Sequence, residues 1–242
     1  MSVFQRATKS QAKLRLGIQG PSGSGKTYSA LKIASQFGRV AFGDTEYGSA
    51  SKYAKEFEFD VCQLTEPYHP DKIGKLIKEA ASEYDVLVID SLTHFWNSEG
   101  GFLSLVDQEA KKAAARGGKY DSFGAWKVVD PIYQRMVQQI LSAPIHLIMT
   151  VRAKTEHVIE EGANGKKQVK KLGLAGEMRD NFVYNLDIEG MMTMEHNFVI
   201  GKTRCPDVDG KVFEKPGENF ANLVKAWLSD GAPKTENGSV GK

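Results

Sequence analysis

Cysteine is scarce. The 242 residues hold two, Cys62 and Cys205, too few for a disulfide-stapled scaffold, and a reducing cytoplasm is the expected setting. Long apolar runs are also missing: DVLVID (85–90) and PIHLIMTV (144–151) fall far short of the roughly 20 residues that a membrane-crossing helix needs. They read as buried strands, and no membrane partner is expected. The first residues show no charged segment followed by an apolar stretch and a small-residue cleavage site, so no leader is expected. Neither sign of charge dominates, since 32 Lys and Arg against 30 Asp and Glu leave a net charge of +2. Any hold on nucleic acid must therefore come from local clusters of cations. Internal repeats and zinc-type His and Cys spacings are absent, and DVDG (207–210) lacks the remaining ligands of a calcium loop, so it reads as a turn.

What is present is an alternation of strand and helix patterns. KLRLGI (13–18), RVAFGD (39–44), FEFDVCQL (57–64), DVLVID (85–90) and IHLIMTV (145–151) read as strands. KTYSALKIASQF (26–37) and HPDKIGKLIKEAASEY (69–84) read as helices, the latter with an apolar stripe at Ile73, Leu76, Ile77 and Ala80. Two more helical patterns, 103–116 and 123–143, follow, with Pro131 at a start or kink of the second. That order predicts an α/β fold with a mostly parallel sheet between helices. After about residue 180 the runs shorten and alternate, which predicts an antiparallel edge. The expected organisation is a short basic arm over 1–12, one domain over 13–230, and a polar, disordered tail over 231–242.

GPSGSGKT, from Gly20 through Pro21, Ser22, Gly23, Ser24 and Gly25 to Lys26 and Thr27, fits G-x-x-x-x-G-K-[ST] between a strand and a helix pattern. Its glycines let main-chain N–H groups converge on phosphate oxygens at a helix N-terminus, Lys26 reaches the terminal phosphates, and Thr27 supplies a hydroxyl for Mg²⁺. YDVLVIDS ends an apolar strand on Asp90, a carboxylate placed to orient the same ion. ATP and Mg²⁺ are the expected ligands. His94, Phe95 and Trp96 read as aromatic packing beneath the following loop, and Trp126 and Trp227 as helix core.

The next strand end carries Asp44, Thr45 and Glu46, and here the chain resembles the RecA-type recombinases, which have a catalytic Glu in a similar context. The resemblance makes Glu46 the candidate that activates water. It also implies a RecA-like P-loop NTPase fold in which the strand 145–151 lies between the phosphate-loop strand and the Asp90 strand. Thr150 and Arg152 then stand where nucleotide state is sensed, with Arg152 in a place where recombinases commonly have Gln. Two Gly-bearing basic segments correspond to the DNA-contacting loops of that family: Lys111, Lys112, Arg116 and Lys119 in one, Lys166, Lys167, Lys170 and Lys171 in the other. Lys202 and Arg204, two apart on a late strand, resemble the paired cations that reach a neighbouring subunit's nucleotide, which implies a ring or filament of identical chains.

Taken with VLVIDSLTHFW, IMTVRAKTEH and GLAGEMRDNFVYNLDIEG, these residues resemble small phage-encoded RecA-like ATPases, including those that promote single-strand annealing, over about residues 12 to 230. The resemblance implies a DNA-stimulated ATPase that supports recombination or annealing, with a single-strand DNA-binding protein as a partner. Two alternatives remain open: a small-molecule P-loop kinase, and an adaptor in phage replication or assembly that uses nucleotide as a switch without hydrolysing it.

Overall fold

The computed structural model describes residues 8–9, 11–161 and 167–231, and their side chains apart from 155–175. The strands are β1 (Arg15–Gly20), β2 (Val40–Asp44), β3 (Asp60–Gln63), β4 (Val86–Asp90), β5 (His146–Glu161), β6 (Lys167–Gly176), β7 (Ile188–Met192), β8 (Asn197–Thr203) and β9 (Val212–Glu214). The helices are α1 (Lys26–Ala34), α2 (Asp71–Ala80), α3 (Thr93–Asn97), α4 (Phe102–Ala115), α5 (Ser122–Ser142) and α6 (Glu218–Ser229). Eight strands lie in the order β3-β2-β4-β5-β1-β7-β8-β9, and β6 pairs with β5 outside that path. Pairing is parallel from β3 through β7 and antiparallel for β7–β8 and β8–β9. This is the mostly parallel sheet with an antiparallel edge that the sequence leads one to expect, with β5 between β1 and β4. One boundary differs: β7, expected in the antiparallel edge, runs parallel to β1, and the reversal begins only at β8.

Strand alternation divides the core in two. Leu87, Ile89, Leu147, Met149 and Val151 face α2 and α5, whereas Leu16, Ile18, Phe42, Val86, Val88 and Ile148 face α1 and α6. The stripe Ile73, Leu76, Ile77 and Ala80 is buried as its spacing predicts, and Pro131 stands inside α5 rather than at its start. Arg15 fixes the far end of α5. Its guanidinium donates to the carbonyls of Leu14 at 2.9 Å, Ile145 at 3.0 Å and Leu141 at 3.2 Å, and to that of Ala143, so a buried cation meets the negative end of the helix.

Both segments expected to be basic loops are built on regular structure. β5 outruns β1, whose last residue, Gly20, pairs with Arg152. Residues 153–161 then pair only with β6, an arm of about 30 Å at roughly 3.3 Å per residue. α5, with 21 residues, is about 31 Å long and begins at that same end of the sheet, so its junction with α4 also extends past the strand ends.

His146 sits where α5 leads into β5, and its Nδ1 accepts a hydrogen bond from the Leu14 N–H at 3.0 Å. Burial, reinforced by Lys13 and Arg15, pushes its pKa down to about 4 against the resistance of Asp85. The unfolded chain takes up this proton near pH 6.5 and the folded one only near 4, so acidification across that window favours unfolding by up to about 3 kcal/mol. In His146→Asn the side-chain oxygen keeps the acceptor and removes the titration. Urea midpoints measured from pH 7 to 4 should fall more steeply for the wild type than for this variant.

Candidate nucleotide site

The Gly20–Thr27 segment joins the end of β1 to the first turn of α1, as its glycines require. Gly23 and Gly25 have φ of 81° and 87°, a region where side chains are strained. At Gly20 a Cβ would lie 2.6 Å from the buried Ser24 hydroxyl. No side chain caps α1, and no acid occupies its first turn, so its leading N–H groups and positive end are left to a ligand. Lys26 Nζ lies across the loop on the Pro21 carbonyl at 2.8 Å. Burial lowers its pKa, with Asp90 and Glu46 pulling the other way.

Asp90 is 2% exposed. Thr27 Oγ1 donates to one of its oxygens at 2.5 Å and Thr150 Oγ1 donates to the other, so one carboxylate joins α1, β4 and β5. Burial raises its pKa, and the two threonine bonds oppose that rise. The donor set suits Mg²⁺, which takes one or two protein oxygens beside nucleotide phosphates and keeps waters elsewhere.

Register sets Asp44 beside Asp90, and the chain turns there because the Asp44 carboxylate accepts the Glu46 N–H at 2.6 Å. Thr45 fastens the turn to β4: its hydroxyl accepts the Ser91 N–H at 2.7 Å and lies 2.6 Å from His94 Nδ1. His94 is buried and stacked on Tyr68 with ring centroids 5.2 Å apart. Its aromatic packing was expected; its bond to the Thr45 hydroxyl was not, because 49 residues separate them.

Glu46 is thereby aimed into the cleft, where Ser91 Oγ donates to it at 3.2 Å. Arg152 reaches it from the end of β5, with Nε at 2.8 Å from one oxygen and the terminal nitrogen on the other. Burial pushes the Glu46 pKa up, and the Arg152 hydrogen bonds and charge outweigh it, so the net shift is downward. Lys26, Thr27, Glu46, Asp90 and Arg152 line one cleft of about 790 Å³, together with His196 and Lys215, which sequence patterning did not single out.

The remaining candidates lie elsewhere. Lys202 and Arg204 stand at the opposite end of the sheet, since Thr203 pairs with Ile188 and Ile188 with Leu16 near the start of β1. Lys202 donates to the Leu186 carbonyl, and Arg204 pairs with Asp187 at 3.1 Å, so neither reaches the cleft of its own chain. On α4, Lys111 pairs with Asp107 at 2.7 Å and Lys112 with Glu109 at 2.6 Å, exposed contacts of little energetic weight. Arg116 and Lys119 follow in the α4–α5 junction, beside the exposed rings of Tyr120 and Phe123. Lys166 lies outside the described residues. Lys167, Lys170 and Lys171 lie on β6, where the partner strand brings Glu161 into register with Lys167.

The family model described as AAA domain matches residues 12–231. Among solved structures the chain is similar to one described as the crystal structure of the RadB recombinase, with 13% identity, a TM-score of 0.42, and coverage of 85% of this chain and 90% of that one. No curated protein matches the sequence.

The Glu46–Arg152 pair has a measurable consequence. Removing the guanidinium leaves burial as the dominant influence on Glu46, so its pKa rises in Arg152→Ala. Carbon-13 NMR titration of labelled glutamate side chains should move the Glu46 midpoint upward, and an unmoved midpoint would show that Arg152 does not hold the carboxylate.

Proposed function

The chain belongs to the AAA domain family, and from that membership we propose that it binds ATP with Mg²⁺, hydrolyses it, and serves the handling of single-stranded DNA in recombination or annealing. The observation that carries the reading is the convergence of Lys26, the Thr27–Asp90 pair and Glu46 on one cleft beside an uncapped helix N-terminus.

The N–H groups of the loop and of the first turn of α1 cradle the phosphates, and Lys26 exchanges the Pro21 carbonyl for the terminal phosphate oxygens. Thr27 and Asp90 would hold Mg²⁺, which would supply neutralisation of phosphate charge. Glu46 orients the attacking water and accepts its proton. Arg152 occupies Glu46 through a forked pair, so it acts as the sensor: a terminal phosphate competes for the guanidinium and frees the carboxylate.

The DNA reading is supported by two arms at the cleft end of the sheet. The α4–α5 junction offers Arg116 and Lys119 for phosphates, with Tyr120 at 56% and Phe123 at 82% exposure as faces on which bases stack. The β5–β6 arm adds Lys167, Lys170 and Lys171, and Lys166 belongs to the same segment. Lys202 and Arg204, remote from their own cleft, serve a neighbour's site in a ring or filament of identical chains. A phage origin, an annealing role and cooperation with a single-strand DNA-binding protein complete the reading.

ATP turnover measured with and without single-stranded DNA tests it. Glu46→Gln should lower turnover by about 10²- to 10⁴-fold while ATP still binds; unchanged turnover removes Glu46 from the chemistry. DNA stimulation should weaken with rising salt and in the double change Lys166→Ala, Lys167→Ala. Stimulation by nucleosides instead of DNA would identify a kinase, and tight ATP binding without turnover a nucleotide-switched adaptor.

A further inference from the structure

Away from glycine, the described residues include three with positive φ: Tyr47 at 55°, His196 at 63° and Lys215 at 44°. Tyr47 follows Glu46, and the other two line the cleft. Residues held in this region persist where the surroundings over-determine them, and they gather at functional sites. His196 and Lys215 are also joined, since the Lys215 N–H donates to the His196 carbonyl at 2.9 Å.

His196 occupies the turn between β7 and β8. The turn closes through its N–H on the Thr193 carbonyl at 3.1 Å and through Thr193 N–H on the Asn197 carbonyl at 2.8 Å. Glycine or asparagine would make the same reversal with less strain. What histidine adds is its ring, whose Nδ1 lies 3.1 Å from the Ser24 carbonyl. A carbonyl only accepts, so this nitrogen carries the proton and donates. The ring also lies against the phosphate loop, because a Cβ on Gly25 would be 3.1 Å from the same nitrogen.

We propose that His196 is a positioning residue for the phosphate loop, a clasp on the Ser24 carbonyl that sets the direction of the Gly25 N–H. The peptide between Ser24 and Gly25 is planar and trans, so its carbonyl and N–H point in opposite directions. Holding the Ser24 oxygen on the His196 ring therefore points the Gly25 N–H away from that ring and leaves it for a phosphate oxygen. Among the described residues that N–H donates to no protein group. Lys215 anchors the clasp through its N–H on the His196 carbonyl, and both residues accept a strained backbone to form it.

The inference rests on nucleotide binding by this loop, and two substitutions separate positioning from folding. His196→Gly relieves the backbone and deletes the donor, so the variant should melt at or above the wild-type temperature yet bind MgADP about three- to tenfold more weakly by calorimetry. His196→Asn tolerates the same φ and keeps an amide donor, and should stay within about twofold of the wild type. Without nucleotide, hydrogen exchange of the Gly23–Thr27 amides should quicken in the glycine variant and not in the asparagine one. Wild-type affinity in His196→Gly, affinity in His196→Asn as weak as in glycine, or a loss of affinity that tracks a loss of melting temperature overturns the proposal. A wild type that gives no heat with MgADP sinks the nucleotide reading instead, and the exchange contrast then decides the clasp alone.

Discussion

A carboxylate with 2% exposure is costly unless its oxygens are satisfied, and Asp90 is satisfied by hydroxyls from two other elements. Thr27 approaches from the phosphate-loop helix and Thr150 from the strand that separates Asp90 from β1. The Asp90 backbone carbonyl takes the Thr45 N–H at 2.8 Å, which brings in the end of β2 as well. Four segments are thereby tied at one residue, at the level where the parallel strands end. The Thr27 hydroxyl spends its proton on Asp90, so the bond that stabilises the fold leaves that oxygen's lone pairs free to accept, as the proposed Mg²⁺ site requires.

Parallel strand order turns that tie into a cleft. β4 lies between β2 and β5, and β5 between β4 and β1, so the carboxyl ends of four strands converge beside the N-terminus of α1. Open α/β sheets place their ligands at such ends. The same geometry explains the arms: β5 outlives its pairing with β1 and continues past the cleft, and α5, capped below by Arg15, is longer than the sheet is deep. In the proposed function, a change at the nucleotide need travel only along β5, from Arg152 at the cleft to residue 153 at the root of the β-hairpin arm.

The parts of this site legible in the sequence are those whose physics is local. Glycines that need a positive φ, a lysine and threonine at a helix start, and an apolar strand ending on Asp90 are each set by neighbours along the chain. The buried stripe of α2 was legible for the same reason. Contacts across the fold were not: Arg152 and Glu46 are 106 residues apart, and His196 and Ser24 172 apart. A lone histidine in a polar turn carries no periodicity, so nothing marked His196. The basic stretch after β5 looked like a loop because its glycines and lysines hide a strand pattern that becomes evident only against its partner. Lys202 and Arg204 sat at the expected spacing, but spacing along a strand cannot tell which end of the sheet a residue occupies.

The cleft also fixes an order of events by its charge pairing. Glu46 already has Arg152, and Asp90 has two hydroxyls, so both carboxylates are satisfied within the protein. Lys26 rests on a neutral carbonyl, and burial works against its charge. An anion entering the loop therefore gains most by meeting Lys26 first, where it restores a favourable environment for a partly desolvated cation and breaks no ion pair. Arg152 is harder to move, because its displacement gives up a forked pair and leaves Glu46 with Ser91 alone. A polyanion long enough to touch both cations can do so, whereas one that reaches only Lys26 cannot. In the proposed function, the Glu46–Arg152 pair thus responds to the number of phosphates rather than to the nucleotide as a whole.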